Sequence, residues 1–148
     1  MQKAPYRVDL QALHALCEAN YLRLMRLFPD YERSNRRGIF VRDARVEFVV
    51  LERARYTTTF RLIAEQPAPE LLGHLSAELR AYHDAAMVEV TGFQSSRLDR
   101  ARYPYPNPRM HQEDEKHQQN LFLGEFLERC LADGEVPLPG FTPAAPQP

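Results

Sequence analysis

The apolar residues of this chain change their period twice, and that change limits the folds open to it. From Val8 they recur every three or four residues, through Leu10, Leu13, Cys17, Tyr21, Leu24 and Leu27 or Phe28. This is the spacing of an amphipathic helix. Asp9 is a suitable N-cap, and Pro29 removes Phe28 from helical geometry and ends the run. After Gly38 the period becomes two and stays so as far as Gly92. After Asn107-Pro108, a capping residue followed by a first-turn proline, the helical spacing returns and runs to about Asp133, with Gly134 as C-cap.

The middle third reads as strands. Ile39 and Val41 alternate, a turn at Asp43-Ala44 follows, and Val46, Phe48 and Val50 continue the pattern. A break near Ala54-Arg55 leads to Tyr56, Thr58, Phe60, Leu62 and Ala64 on one face. After a loop at residues 66–70, Leu75, Ala77, Leu79 and Ala81 alternate with polar residues; His83-Asp84 turns the chain, and Ala86, Val88 and Val90 alternate again. Enrichment in β-branched and aromatic residues supports strands. A helix through 78–90 is the competing reading, and alternation over two successive stretches favours the hairpin. Connections this short exclude parallel crossovers. The expected fold is therefore α+β: an antiparallel meander of about four to five strands flanked by an N-terminal and a C-terminal helix, which serve as lids for its apolar face. Residues 1–134 form one domain on this reading, and the proline-rich 135–148 is a disordered tail.

Composition excludes several function classes. The 148 residues carry a net charge of −1, which gives no global attraction to nucleic acid or to an anionic membrane. No apolar run approaches the ~20 residues that span a bilayer. The N-terminus lacks the apolar core of a signal peptide, so a cytoplasmic location is expected. Cys17 and Cys130 fall within helical apolar patterns and read as reduced core thiols. His14 lies beside the first apolar stripe and reads as a partly buried, hydrogen-bonded histidine. Arg33, Arg36 and Arg37 sit in a polar loop, 29–37, and read as solvated cations rather than an anion site.

The chemistry concentrates in residues 100–120. On the last helix Phe122, Leu123, Phe126, Leu127, Cys130 and Leu131 share a face, and the same face meets Gln119, Lys116, Glu115 and Gln112 in its first turns. A core stripe that turns polar either projects into solvent or faces a polar pocket. On its flank His111, Asp114 and His117, spaced three and three, span an arc of roughly 120° and suit a divalent metal. Their spacing lacks the i, i+4 histidine pair of the zinc proteases, and no distal third ligand is evident. Tyr82, His83 and Asp84 at the hairpin turn, with Arg102, Tyr103, Tyr105, Arg109, Gln112 and Glu115, make a candidate site for a small anionic ligand. Acids at 113–115 suit a helix start without any function and weigh against nucleic acid. There is no P-loop, dinucleotide fingerprint, nucleophile elbow or C-x-x-C.

The runs YHDAAMVEV, ARYPYPN and HQEDEKHQQNLFLGEFLERCL, with CEANYLRLMRLFP and ERARYTTTF, resemble the YqiB-like proteins of gammaproteobacteria, a family of unknown function. The resemblance covers residues 8–134 and implies no activity, cofactor or catalytic residue. The leading expectation is a small binding or adaptor domain for a protein or a small anionic ligand. The alternatives are a metal-dependent hydrolase of nucleotides or phosphoesters, using a divalent metal, and nucleic-acid binding through the arginines and tyrosines.

Overall fold

A computed structural model of the chain describes residues 10–42, 44–65, 74–95 and 108–136, without the side chains of 74, 95 and 108–114. Helix α1 (Leu10–Leu27) is followed by β1 (Arg36–Val41), β2 (Ala44–Arg53), β3 (Thr57–Glu65), β4 (His74–Tyr82) and β5 (Met87–Ser95). Helix α2 (Pro108–Asp133) runs directly into β6 (Gly134–Glu135). Among the described residues the strands form one antiparallel sheet in the order β5-β4-β3-β2-β1-β6. The meander and both helices match the periodicity. The two-residue β6 was not visible in it.

Alternation builds the core. Ile39, Val41, Val46, Phe48, Phe60, Leu62, Leu79 and Val88 point to one face, where they pack with Leu24, Leu27 and Phe28 of α1 and Leu123, Leu127 and Cys130 of α2. The other face carries cross-strand ion pairs, Arg36 with Glu47 at 3.2 Å and Arg61 with Glu78 at 4.0 Å, and no described helix covers it. Cys17 and Cys130 are buried free thiols, as expected. Burial pushes the Cys17 thiol up to about 11 and the Cys130 thiol up to about 12, so neither is a thiolate at neutral pH.

Three expectations need correction. His14 is exposed and pairs at 3.6 Å with Glu18 one turn on, because its direction on the helix misses the sheet. Arg36 and Arg37 belong to β1 and not to a loop: Arg36 lies opposite Val49, and Arg37 opposite Phe48. The first hairpin closes with Ala44 already paired to Val41, so Ala44 belongs to the strand and not to the turn.

Two glycines fix the helices. A Cβ at Gly124 would stand 3.0 Å from Asn20 Oδ1 and 3.3 Å from Leu16 Cδ1, so α1 crosses α2 closely there. A Cβ at Gly134 would stand 2.8 Å from Ile39 Cγ2 and collide with the Cys130 carbonyl oxygen, so only glycine lets α2 end against β1. Asn120 and Asn20, both fully buried, complete the junction. Asn20 Nδ2 donates to the Asn120 carbonyl at 3.1 Å, Val90 N–H donates to Asn120 Oδ1 at 3.0 Å, and Asn120 Nδ2 donates to the Lys116 carbonyl at 2.9 Å.

Helix length explains why the stripe on α2 changes character. From Asn120 to Asp133 the helix covers roughly 20 Å. The four strand spacings from β5 to β1 amount to roughly 19 Å. The apolar half is therefore the length that crosses the sheet, and the polar half runs on past the β5 edge.

Candidate functional site

At the β4–β5 end two polar clusters flank the hairpin. On the helix side, His83 Nδ1 hydrogen-bonds the Tyr21 hydroxyl at 3.0 Å and lies 3.5 Å from that of Tyr31, while Nε2 meets Thr58 Oγ1 at 2.8 Å. The imidazole stacks on Tyr31, with ring centroids 5.0 Å apart and planes 13° apart, and meets the edge of Tyr21. Arg53 holds the Tyr31 loop by donating to the carbonyls of Tyr31 and Ser34 at 2.7 Å. Burial lowers the His83 pKa, against the pull of Glu32 and Asp84. Burial also raises the Tyr21 and Tyr31 phenols. Both ring nitrogens of His83 are engaged, so in either neutral tautomer the single ring lone pair already faces a hydroxyl and is not open to a metal. The cluster fastens α1 and the following loop to the sheet.

On the opposite side Tyr82 donates to Glu89 Oε2 at 2.6 Å, and Lys116 Nζ reaches Glu89 Oε1 at 2.7 Å. Burial pushes Glu89 up, but the hydrogen bonds from Lys116 and Tyr82 and the charge of Arg80 outweigh it, leaving the carboxyl below its ordinary value. Arg80 Nε is buried without a hydrogen-bond partner, and no solvent-borne ligand can touch it there without rearrangement.

These clusters place some of the residues singled out in the sequence. Tyr82 is joined to the polar half of α2 through Glu89 and Lys116, whereas His83 turns to Tyr21, Tyr31 and Thr58. Asp84 is exposed; Glu115 and His117 are half-buried on α2. Arg109, His111, Gln112 and Asp114 lie on α2 with undescribed side chains, and Arg102, Tyr103 and Tyr105 lie outside the described residues. Among the described residues, no group of three or more His, Cys, Asp and Glu side chains is placed to hold a metal. No described helix is long and apolar enough to cross a membrane.

A roomy concavity lies elsewhere, between α2 and the β1–β2 hairpin. It holds about 480 Å³. Its floor is apolar: Val41, Ala44 and Val46 from the hairpin, and Phe122, Phe126 and Cys130 from α2. Its rim is charged, with Arg42, Glu125, Arg129 and Asp133. Arg42 opens a two-residue turn and has φ 56°, a left-handed conformation that disfavours every side chain with a Cβ. Its guanidinium lies 3.9 Å from Asp133 with the Arg42 side chain 81% exposed, a loose pair that leaves most of its donors free. Sequence reasoning missed this site, because nothing in the pattern sets α2 against the hairpin tip. Arg42-Asp43 where Asn-Gly is usual was the available signal.

The sequence model of a family described as "Protein of unknown function (DUF1249)" matches residues 23–136. The chain belongs to this family. It is 37% identical over 135 residues to the uncharacterized protein YqiB of Escherichia coli K12, covering 90% of this chain and 96% of that protein. The same figures hold for the uncharacterized protein YqiB of Escherichia coli O157:H7. No solved structure matches the chain. The matched residues 23–136 include the pocket and the clusters apart from Tyr21.

Proposed function

We propose that the chain is a non-catalytic binding domain for a small amphipathic anion, held between α2 and the β1–β2 hairpin. The observation that carries this reading is the cavity of about 480 Å³ with an apolar floor and a rim of mixed charge, Arg42 and Arg129 beside Glu125 and Asp133. On that rim Arg42 is only loosely paired with Asp133 and keeps donors free for an anion. Its volume falls in the usual range of small-molecule sites, and apolar walls with a few polar groups are their usual lining. An alkyl chain on the floor removes apolar surface from water at about 25 cal/mol per Å². An anionic head at the mouth takes hydrogen bonds from Arg42 or Arg129. The Cys130 thiol in the floor, held near pKa 12, offers no nucleophile at neutral pH.

Calorimetric titration with decanoate, decanol and decylamine tests this. Decanoate should bind at least about tenfold tighter than decylamine, the margin of a single charge-assisted hydrogen bond. The margin should shrink in the double variant Arg42→Ala/Arg129→Ala, and Ala44→Leu should narrow the cavity and weaken decanoate. Equal binding of the anion and the cation, or no binding by either, overturns the reading.

A further inference from the structure

A second surface is left open on β1. Val50 N–H donates to the Asn35 carbonyl at 2.8 Å, so residue 35 directs its backbone groups toward β2. In a strand that direction alternates, so 37, 39 and 41 also face β2 while 36, 38 and 40 face away. Phe40 is answered by Glu135 of β6. Arg36 and Gly38 have no strand beside them among the described residues, and each presents one N–H and one carbonyl outward. The chain's own tail cannot complete the ladder in the β6 register. Continuing it would set Pro137 opposite Gly38 and Pro139 opposite Arg36, and neither proline has an N–H to give. Nothing lies within 4 Å of where a Gly38 side chain would begin, so the sheet face beside this edge is uncrowded.

Charge decides the occupant. A second copy adding antiparallel to both Arg36 and Gly38 must pair 36 with 38 of its partner, which sets Arg37 directly against Arg37. Like charges directly opposite are destabilising. Arg37 is bound only through Nε to the Leu27 carbonyl at 3.0 Å, so its charge is unanswered among the described residues, and Arg33 nearby is exposed. Paired arginines would repel, whereas a carboxylate opposite Arg37 gains a charge-assisted hydrogen bond. We propose that the β1 edge at Arg36–Gly38 is a strand-addition site for an extended acidic segment of a partner protein. Main-chain bonds to residues 36 and 38 supply the register, and an acid opposite Arg37 supplies the selectivity.

The probe is a labelled ten-residue peptide alternating threonine and glutamate, compared with one alternating threonine and lysine, measured by fluorescence anisotropy on the intact chain. The acidic peptide should bind about tenfold or more tightly than the basic one, and should slow amide exchange at Arg36 and Gly38. Gly38→Pro removes an outward N–H while leaving the β1–β2 ladder intact, so it should weaken binding about fivefold at unchanged melting temperature. Arg37→Glu should reverse the preference, and it keeps the test decisive if Gly38→Pro disturbs the fold. No binding at millimolar peptide, equal binding of both peptides, or full binding to Gly38→Pro overturns the proposal. So does a concentration-dependent dimer whose Arg36 and Gly38 amides are already protected, which assigns the edge to a second copy.

Discussion

Replacing His83 by alanine should destabilise the domain by about 3 kcal/mol, the sum of two hydrogen bonds near 1 kcal/mol each and ring contacts of about 0.5–1.5 kcal/mol. The bonds are those at 2.8 Å to Thr58 and 3.0 Å to Tyr21; the 3.5 Å contact with Tyr31 is too long to add much. Thr58 is only 2% exposed, so deletion also strands a buried hydroxyl and carries the estimate to its upper side. At roughly 3–5 °C per kcal/mol for a domain of this size, the melting temperature should fall by about 10 °C. His83→Phe keeps the stack on Tyr31 and loses the hydrogen bonds, so it should fall between the two. The assay is urea unfolding with a thermal scan. A His83→Ala change below about 0.5 kcal/mol refutes the reasoning, because exposed substitutions already reach that size. The same residue sets a pH dependence. The pKa of His83 is depressed in the folded state, so the unfolded chain takes up the proton first. The stability His83 contributes is complete above its unfolded value near 6.5 and is lost as pH falls toward the folded pKa. Comparing urea midpoints of the parent and His83→Phe between pH 7.5 and pH 5.5 checks the sign: the parent should lose more.

Three further outcomes follow from the packing. Gly134→Ala drives a methyl into the Cys130 carbonyl and Ile39, and should cost 2 kcal/mol or more by the usual scale of overpacking, read as a lower urea midpoint at unchanged slope. Asn120→Leu leaves the buried Val90 N–H without its acceptor, at a cost of about 1–3 kcal/mol, while the bond from Asn20 to the residue-120 backbone carbonyl survives; faster amide exchange at Val90 would locate the damage. Ala86 has φ 55° in the β4–β5 turn, so Ala86→Gly relieves a left-handed penalty of about 1–2 kcal/mol against a smaller entropic loss, and should raise the melting temperature slightly.

The fold was legible because period alone distinguishes 3.6 from 2, and here each period persists across whole segments. It failed where signals were short. β6 has two residues, too few for any pattern, and Arg36-Arg37 resembled a loop because neither is apolar, although alternation through Ile39 and Val41 extends back to them. His14 looked half-buried from its neighbours in sequence, yet its direction on the helix carries it clear of the sheet. The polar turn of the α2 stripe was correctly seen, and its cause, a helix longer than the sheet is wide, needs the strand count to be understood. Convergence was the least legible. His83 finds Tyr21, Tyr31 and Thr58 at separations of 62, 52 and 25 residues, fixed by register and helix placement. One hint was present: Thr58 stands on the inward face of β3 beside Phe60, Leu62 and Ala64, and a buried hydroxyl there requires a polar partner.

The central claim is that the binding site lies under the β1–β2 hairpin tip and not along the polar half of α2. Nuclear Overhauser contacts between decanoate and the labelled chain test it most directly. The account predicts contacts from the ligand methylenes to the Val46 methyls and the Phe126 ring, with the Arg42 amide shifted by the carboxylate. Contacts instead at Lys116 and His117, with Val46 and Phe126 unmoved, would contradict it.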